Sequence, residues 1–145
     1  MTHEIVVPDD FPSVFEGSAA HERARVLGAV RVCSERGADA PEELARRIGS
    51  ASVAVNIRAY AHFTESVFAA CPNLKMISIW GVGTDNIDLA AAARHSVTVC
   101  NTPGANAIAV AEHAIALMMA VARKIPQIDR EMRTGAWPQI GRAHV

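Results

Sequence analysis

Short β-rich apolar runs alternate with helical segments through the first hundred residues, and the connections between them are short. This rhythm constrains the fold more than any other feature of the chain. Strands are expected at 4–7, 30–33, 53–57, 75–80 and 97–100, and helices at 19–27, 41–48, 64–70 and 86–94. Pro8-Asp9-Asp10 closes the first strand. Pro41 takes a favoured first-turn position with acids just behind it. Thr64 is placed to cap the third helix. Strands separated by helices point to a parallel sheet covered on both faces.

After Cys100 the rhythm breaks. NTPGAN (101–106) reads as a turn, and 107–123 as a long helix. Ile125-Pro126 interrupts it, and a second helix over 127–134 ends near Gly135. Ile108, Val110, Ile115, Leu117, Met118, Met119 and Val121 make the long helix apolar on nearly every face, so all its faces call for cover. One α/β domain covers one side only. A further domain or a second subunit is expected to cover the rest. The fold class is therefore α/β: a flavodoxin-like, doubly wound, five-stranded parallel sheet followed by crossover helices. Ligands of such sheets bind beyond the carboxyl ends of the strands. The expected organisation is 1–104 for the α/β domain, 105–138 for the helices and 139–145 for a tail.

Composition narrows the function classes. The net charge is −1 over 145 residues, with both signs mixed along the chain, which argues against a nucleic-acid surface. Cys33, Cys71 and Cys100 are far apart and match no metal-ligand spacing, so they read as buried or half-buried thiols in a reducing cytoplasm. No metal is expected. The N-terminus lacks the pattern of a signal peptide, and Glu112 and His113 in the middle of the most apolar stretch speak against a membrane span.

WGVGTDNIDL (80–89) carries the chemistry of interest. Gly81 and Gly83 fit the first two places of a GxGxxG dinucleotide fingerprint. Asn86 stands in the third place, and the next strand ends in Cys100-Asn101 with no ribose-binding acid, so the fingerprint fails. Glycines at a strand end still let backbone N–H groups approach an anion, with help from the positive end of a following helix. A tight turn without a ligand is the plainer alternative. Asp85 or Asn86 is expected to cap that helix. Arg58 falls at the same sheet edge, where its guanidinium can fork onto a carboxylate or phosphate, or simply face solvent. Asn106 also falls there, as a ligand-binding amide, a helix cap or both. Glu112 and His113 point about 100° apart on a helix and read as structural hydrogen-bonding residues rather than an acid–base pair. Trp80 reads equally as substrate wall or core.

These motifs resemble those of a known family. GVGTDNIDL, NTPGAN followed by VAEH, an apolar run and ARKIPQ are collinear with the D-isomer-specific 2-hydroxyacid dehydrogenases, the family of D-3-phosphoglycerate dehydrogenase and formate dehydrogenase. The upstream NIRAYAHFTESVFAACPNLKMIS fits as well, and the resemblance covers all but the last few residues. It implies that 1–104 is a substrate-binding domain of an NAD- or NADP-dependent enzyme acting on a small 2-hydroxy or 2-oxo acid. It implies that backbone groups of Gly81, Val82 and Gly83, with Arg58 and Asn106, hold the substrate. Val82 and Val110 fall near the nicotinamide, and the C-terminal helices support a homodimer. The family's catalytic arginine, glutamate and histidine, and its cofactor glycines, have no counterpart in this chain, so no catalytic residue is assigned.

The tail IGRAHV (140–145) does not fit the family. It reverse-translates to one frame of a common sequencing adapter whose next codon is a stop, so 139–145 is expected to be non-native. On this view the chain is an N-terminal fragment without turnover of its own. The alternative is a stand-alone α/β module that binds a small carboxylate and pairs through its C-terminal helices.

Overall fold

The computed structural model describes residues 3–138, so the 139–145 tail lies outside the described residues. The chain divides into two compact units, Met1–Ala105 and Asn106–Val145.

The first unit runs β1 (His3–Val7), α1 (Ala19–Leu27), β2 (Gly28–Val32), α2 (Pro41–Ile48), β3 (Val53–Asn56), α3 (Glu65–Ala70), β4 (Met76–Ile79), α4 (Leu89–Arg94) and β5 (Thr98–Cys100). All strand pairs are parallel, in the order β2-β1-β3-β4-β5. This is the flavodoxin-like order, and its direction of winding reverses between β1 and β3. β2 begins earlier than expected, directly from α1. Gly28 lies opposite His3, and a Cβ there would sit 2.0 Å from the His3 carbonyl oxygen, so only glycine lets the two strands close.

The core joins Val6 of β1, Leu44 and Ile48 of α2, Val67 and Phe68 of α3, and Ile77 of β4 with Phe63 and Leu74. Cover is less even than the strand–helix rhythm implies. In β3 and β4 alternate residues are buried and their neighbours only half-buried, and α1 buries none of its residues. In β1, by contrast, Ile5, Val6 and Val7 are buried in succession, as in a strand covered on both faces. Cys71 is buried and Cys33 half-buried as expected, but Cys100 is exposed, because the short edge strand β5 leaves it in solvent.

The loop after β1 is built on two buried carboxylates. Asp10 accepts from the backbone N–H groups of Val14 (2.8 Å), Phe15 (3.0 Å) and Glu16 (2.9 Å) and from the Ser13 hydroxyl (2.8 Å). Burial pushes its pKa up, but these donors outweigh burial and hold it below the ordinary 3.8. Asp9 accepts from the N–H groups of Gly37 and Ala38 at 3.2 Å and from the Tyr60 hydroxyl at 2.9 Å. Arg47 of α2 donates to the carbonyls of Pro8 (2.8 Å) and Glu35 (2.6 Å), fastening the loops after β1 and β2 together. Its Nε donates to Glu43 at 2.8 Å. Bonds from Arg46 and then Arg47 draw the Glu43 carboxyl down to about 2.

The second unit holds α5 (Ala107–Ala122) and α6 (Ile125–Arg133). Asn106 occupies the N-cap position of α5, yet its side chain makes no capping bond, because its ψ of 6° departs from the extended conformation a capping side chain needs. Pro126 does not end a helix. It sits in the first turn of α6, where its missing N–H costs nothing, and the break falls at left-handed Lys124. α6 ends as expected before Gly135, whose φ of 84° suits glycine. No residue of α5 is buried, and Glu112 and His113 are exposed and make no side-chain hydrogen bond among the described residues.

Asp10→Asn is expected to lower stability by about 1–3 kcal/mol at neutral pH, since the amide presents only one acceptor to four donors. The native carboxyl titrates below its unfolded value. Its contribution is therefore complete above that value and fades as the pH falls through the folded pKa. The stability gap between the two proteins, measured by urea denaturation, should narrow below about pH 4.

Candidate functional site

A cavity of about 240 Å³ lies beyond the carboxyl ends of β3 and β4. Its place follows from the sheet. β3 and β4 run in register with Asn56 opposite Ile79, and the Trp80 N–H donates to the Asn56 carbonyl at 2.9 Å. The two strands therefore end together, and the segments 56–59 and 79–83 leave side by side. Arg58, Gly81 and Gly83 all border the cavity, with Asn56, His62, Trp80, Asp85 and Asn86.

The glycine loop is held by its carbonyls. The Gly81 carbonyl accepts from the Thr102 N–H (2.8 Å) and hydroxyl (2.9 Å), and the Val82 carbonyl accepts from the Asn101 amide (2.8 Å). The N–H groups of Gly81, Val82 and Gly83 make no hydrogen bond among the described residues. Neither glycine has a left-handed φ. A Cβ at Gly81 would meet nothing closer than a methyl group of Ile79 at 3.8 Å, and one at Gly83 only the Asp85 carboxylate at 3.1 Å. The turn itself therefore does not require glycine at 81.

The helix contribution is a correction. α4 starts at Leu89, six residues after Gly83, so no helix N-terminus follows the loop directly. Asp88 caps α4, accepting from the Ala91 N–H at 2.8 Å, and neither Asp85 nor Asn86 does. The reason is a turn closed by the Ile87 N–H on the Thr84 carbonyl (2.9 Å) and the parallel bridge between Phe63 and Ile87, which delay the helix past Ile87. Asn86 is buried there and donates to the Ala61 carbonyl at 2.7 Å and to that of Arg58 at 3.5 Å. Because Asn86 fills the third fingerprint place with a buried structural amide, the loop does not fit the phosphates of a dinucleotide.

Arg58 is half-buried. Its guanidinium donates to the Pro12 carbonyl, while its Nε is buried without a partner among the described residues. Tyr60 donates to Asp9 and to the Phe11 carbonyl (3.0 Å), and burial, then the bond to Asp9, raises its pKa, so it remains a donor. Phe15 meets Trp80 edge-on with ring centroids 5.6 Å apart. The loop after β1 thus braces Arg58, Tyr60 and Trp80 together. Trp80 is 43% exposed and forms cavity wall rather than core. Val82 is exposed on the loop but does not line the cavity. Asn106 and Val110 belong to the helical unit, at and just after the start of α5, and both are exposed.

Sequence reasoning missed Asn56, His62, the anchors Asn101 and Thr102, and the brace after β1. Only Asn56 left a signal. It is a polar residue at the inward place of an alternating strand, two after buried Ala54. Among the described residues no cluster of three metal-ligating side chains occurs, and no helix is long and apolar enough to cross a membrane.

A family model described as D-isomer specific 2-hydroxyacid dehydrogenase, catalytic domain, matches residues 14–136. The chain belongs to this family. It is 48% identical over 96 residues to D-3-phosphoglycerate dehydrogenase of Archaeoglobus fulgidus, a match covering 66% of this chain and 18% of that protein. Among solved structures, an acyclic imino acid reductase in complex with NADPH and D-arginine superposes with a TM-score of 0.80 at 26% identity, covering 98% of this chain and 42% of that one. An NAD-dependent formate dehydrogenase of Staphylococcus aureus in complex with NAD gives 0.72 at 27% identity, covering 93% and 43%. The chain thus spans less than half the length of these relatives.

Asn86→Ala leaves the buried Ala61 carbonyl without its 2.7 Å donor. A loss of about 1–3 kcal/mol in stability is expected, measured by chemical denaturation. A cost near zero would show that Asn86 does not hold the cavity wall.

Proposed function

We propose that this chain is the substrate-binding part of an NAD- or NADP-dependent dehydrogenase acting on a small 2-hydroxy or 2-oxo acid. The observation that carries this reading is the glycine loop: three consecutive N–H groups without partners among the described residues, the carbonyls of Gly81 and Val82 anchored, beside a braced arginine. That set suits a carboxylate. Backbone N–H groups of Gly81, Val82 and Gly83 donate to one face of the anion, and Arg58 supplies charge from the neighbouring strand end. Family membership supports the same assignment.

The chain's own work is to bind and to orient. Neutralising the carboxylate and fixing its plane presents C2 in one orientation, the entropic part of catalysis. Trp80 walls the site and limits water access from its side. No described residue is assigned proton transfer. Glu112 and His113 belong to the VAEH motif and are not a catalytic pair. By the family resemblance Asn106 also serves the substrate, and Val82 and Val110 serve the nicotinamide side. The dinucleotide itself is assigned to the rest of the complete enzyme, because the described residues offer no phosphate cradle. The exposed apolar side chains of α5 suit cover by that remainder and by a second subunit in a cytoplasmic homodimer.

Titration of the isolated chain with pyruvate, followed by the amide resonances of Gly81 and Gly83, tests the binding role. Saturable shifts are expected, and Arg58→Lys should weaken binding about tenfold because the ammonium keeps the charge and loses the planar fork. Equal affinity in the variant would remove Arg58 from the site. The isolated chain mixed with NAD and D-lactate should form no NADH, and steady NADH formation would place catalytic groups within it.

A further inference from the structure

We infer that Tyr60 is a positioning residue of this site: it ties the loop after β1 to the exit of β3 and so sets the plane in which Arg58 presents its guanidinium. The inference rests on the carboxylate-binding role proposed above and assigns a role to a residue that does not itself border the cavity.

Residues 58–61 form a turn closed by the Ala61 N–H on the Arg58 carbonyl at 3.3 Å. Two side chains leave that turn toward the loop after β1, and they hold consecutive carbonyls. The Tyr60 hydroxyl donates to the Phe11 carbonyl (3.0 Å) and to Asp9 (2.9 Å), and the Arg58 guanidinium donates to the Pro12 carbonyl. A guanidinium is a planar fork, so fixing one donor on a carbonyl sets where its other donors point. The Pro12 carbonyl is the next one along from the carbonyl that Tyr60 holds. The Tyr60 anchor therefore governs the plane of Arg58. Arg36 lies over the Tyr60 ring, 4.6 Å from its centroid, and holds the ring in place.

The loop's own fold does not depend on Tyr60. Asp9 also accepts from the N–H groups of Phe11 (3.3 Å), Gly37 and Ala38 (3.2 Å each), and the Asp10 N–H donates to the Cys33 carbonyl at 2.8 Å. Arg47 holds the Pro8 carbonyl. These bonds fasten the loop to the segment after β2 and to α2. Among the described residues, the hydrogen bonds that fasten it to the exit of β3 come from Tyr60 and Arg58 alone. What the hydroxyl adds is thus the tie to Arg58.

The test is a double-mutant cycle on pyruvate binding, read by the amide resonances of Gly81 and Gly83 in the 145-residue chain. Tyr60→Phe keeps the ring and removes the hydroxyl. It is expected to weaken pyruvate binding about fivefold, the worth of one hydrogen bond. Arg58→Lys weakens it about tenfold, and the double variant should also lose about tenfold rather than the product of the two, since Tyr60 acts only through the fork that lysine lacks. A merely structural tyrosine leaves pyruvate affinity unchanged, and that result would overturn the inference, as would a fully additive loss. The unaltered chain supplies a check that needs no variant to fold. Without ligand, the Arg58 Nη protons should give separate resonances, because the bond to Pro12 stops rotation of the guanidinium. A single averaged resonance would overturn the role of Tyr60 and leave the carboxylate site standing. Pyruvate that shifts neither Gly81 nor Gly83 in the unaltered chain would remove the carboxylate site and this inference with it.

Discussion

Everything at the candidate site depends on the parallel register of β3 and β4. Asn56 pairs with Ile79, and the ladder continues one bond further through the Trp80 N–H. Because parallel strands share a direction, both chains leave the sheet at the same edge. A guanidinium from one exit and a glycine loop from the next therefore meet without any long-range steering. A one-residue slip in β3 would turn Asn56 away from the cavity and bring Val55 toward it, since side chains alternate across a strand.

Around that edge the structure uses backbone anchoring rather than charge. Asn101 and Thr102, just past β5, hold the loop by its carbonyls. Asp10 organises the loop after β1, whose Pro12 carbonyl and Phe15 ring then brace Arg58 and Trp80. The segments leaving β3 and β4 thus line the cavity, and those leaving β1 and β5 hold them in place. Anchors of this kind fix the loop without a ligand, so the carboxylate binding proposed for it would need little ordering.

Legibility followed the range of the interactions. The α/β alternation, the positions of α1 and α2, and the turn at 101–106 were readable, because propensity and periodicity act over a few residues. Arg58, Gly81 and Gly83 were placed at one edge by the rule that parallel strands share their carboxyl ends. What failed was local chemistry overruled from afar. Asn86 looked like a helix cap, but it lies in a turn ahead of the bridge from Phe63 to Ile87, and its amide is buried on the Ala61 carbonyl. Thr64 takes the cap position of α3 without capping, its hydroxyl lying 2.9 Å from that of Ser66 instead. Cys100 read as a buried or half-buried thiol, but an edge strand of three residues left it exposed.

The sequence by itself determined the order of strands and helices, the parallel sense of the sheet and the family. Each follows from patterns a few residues long or from a collinear run of motifs. Only the tertiary structure decided which polar groups are occupied and which are free. Asn86 and Asn56 are the same residue type at the same cavity, one with its side-chain amide engaged and one with its Oδ1 unpartnered among the described residues. The physical reason is that hydrogen-bond satisfaction depends on atoms distant in the chain. The partners of Asn86 lie 25 and 28 residues away, and no local pattern encodes them.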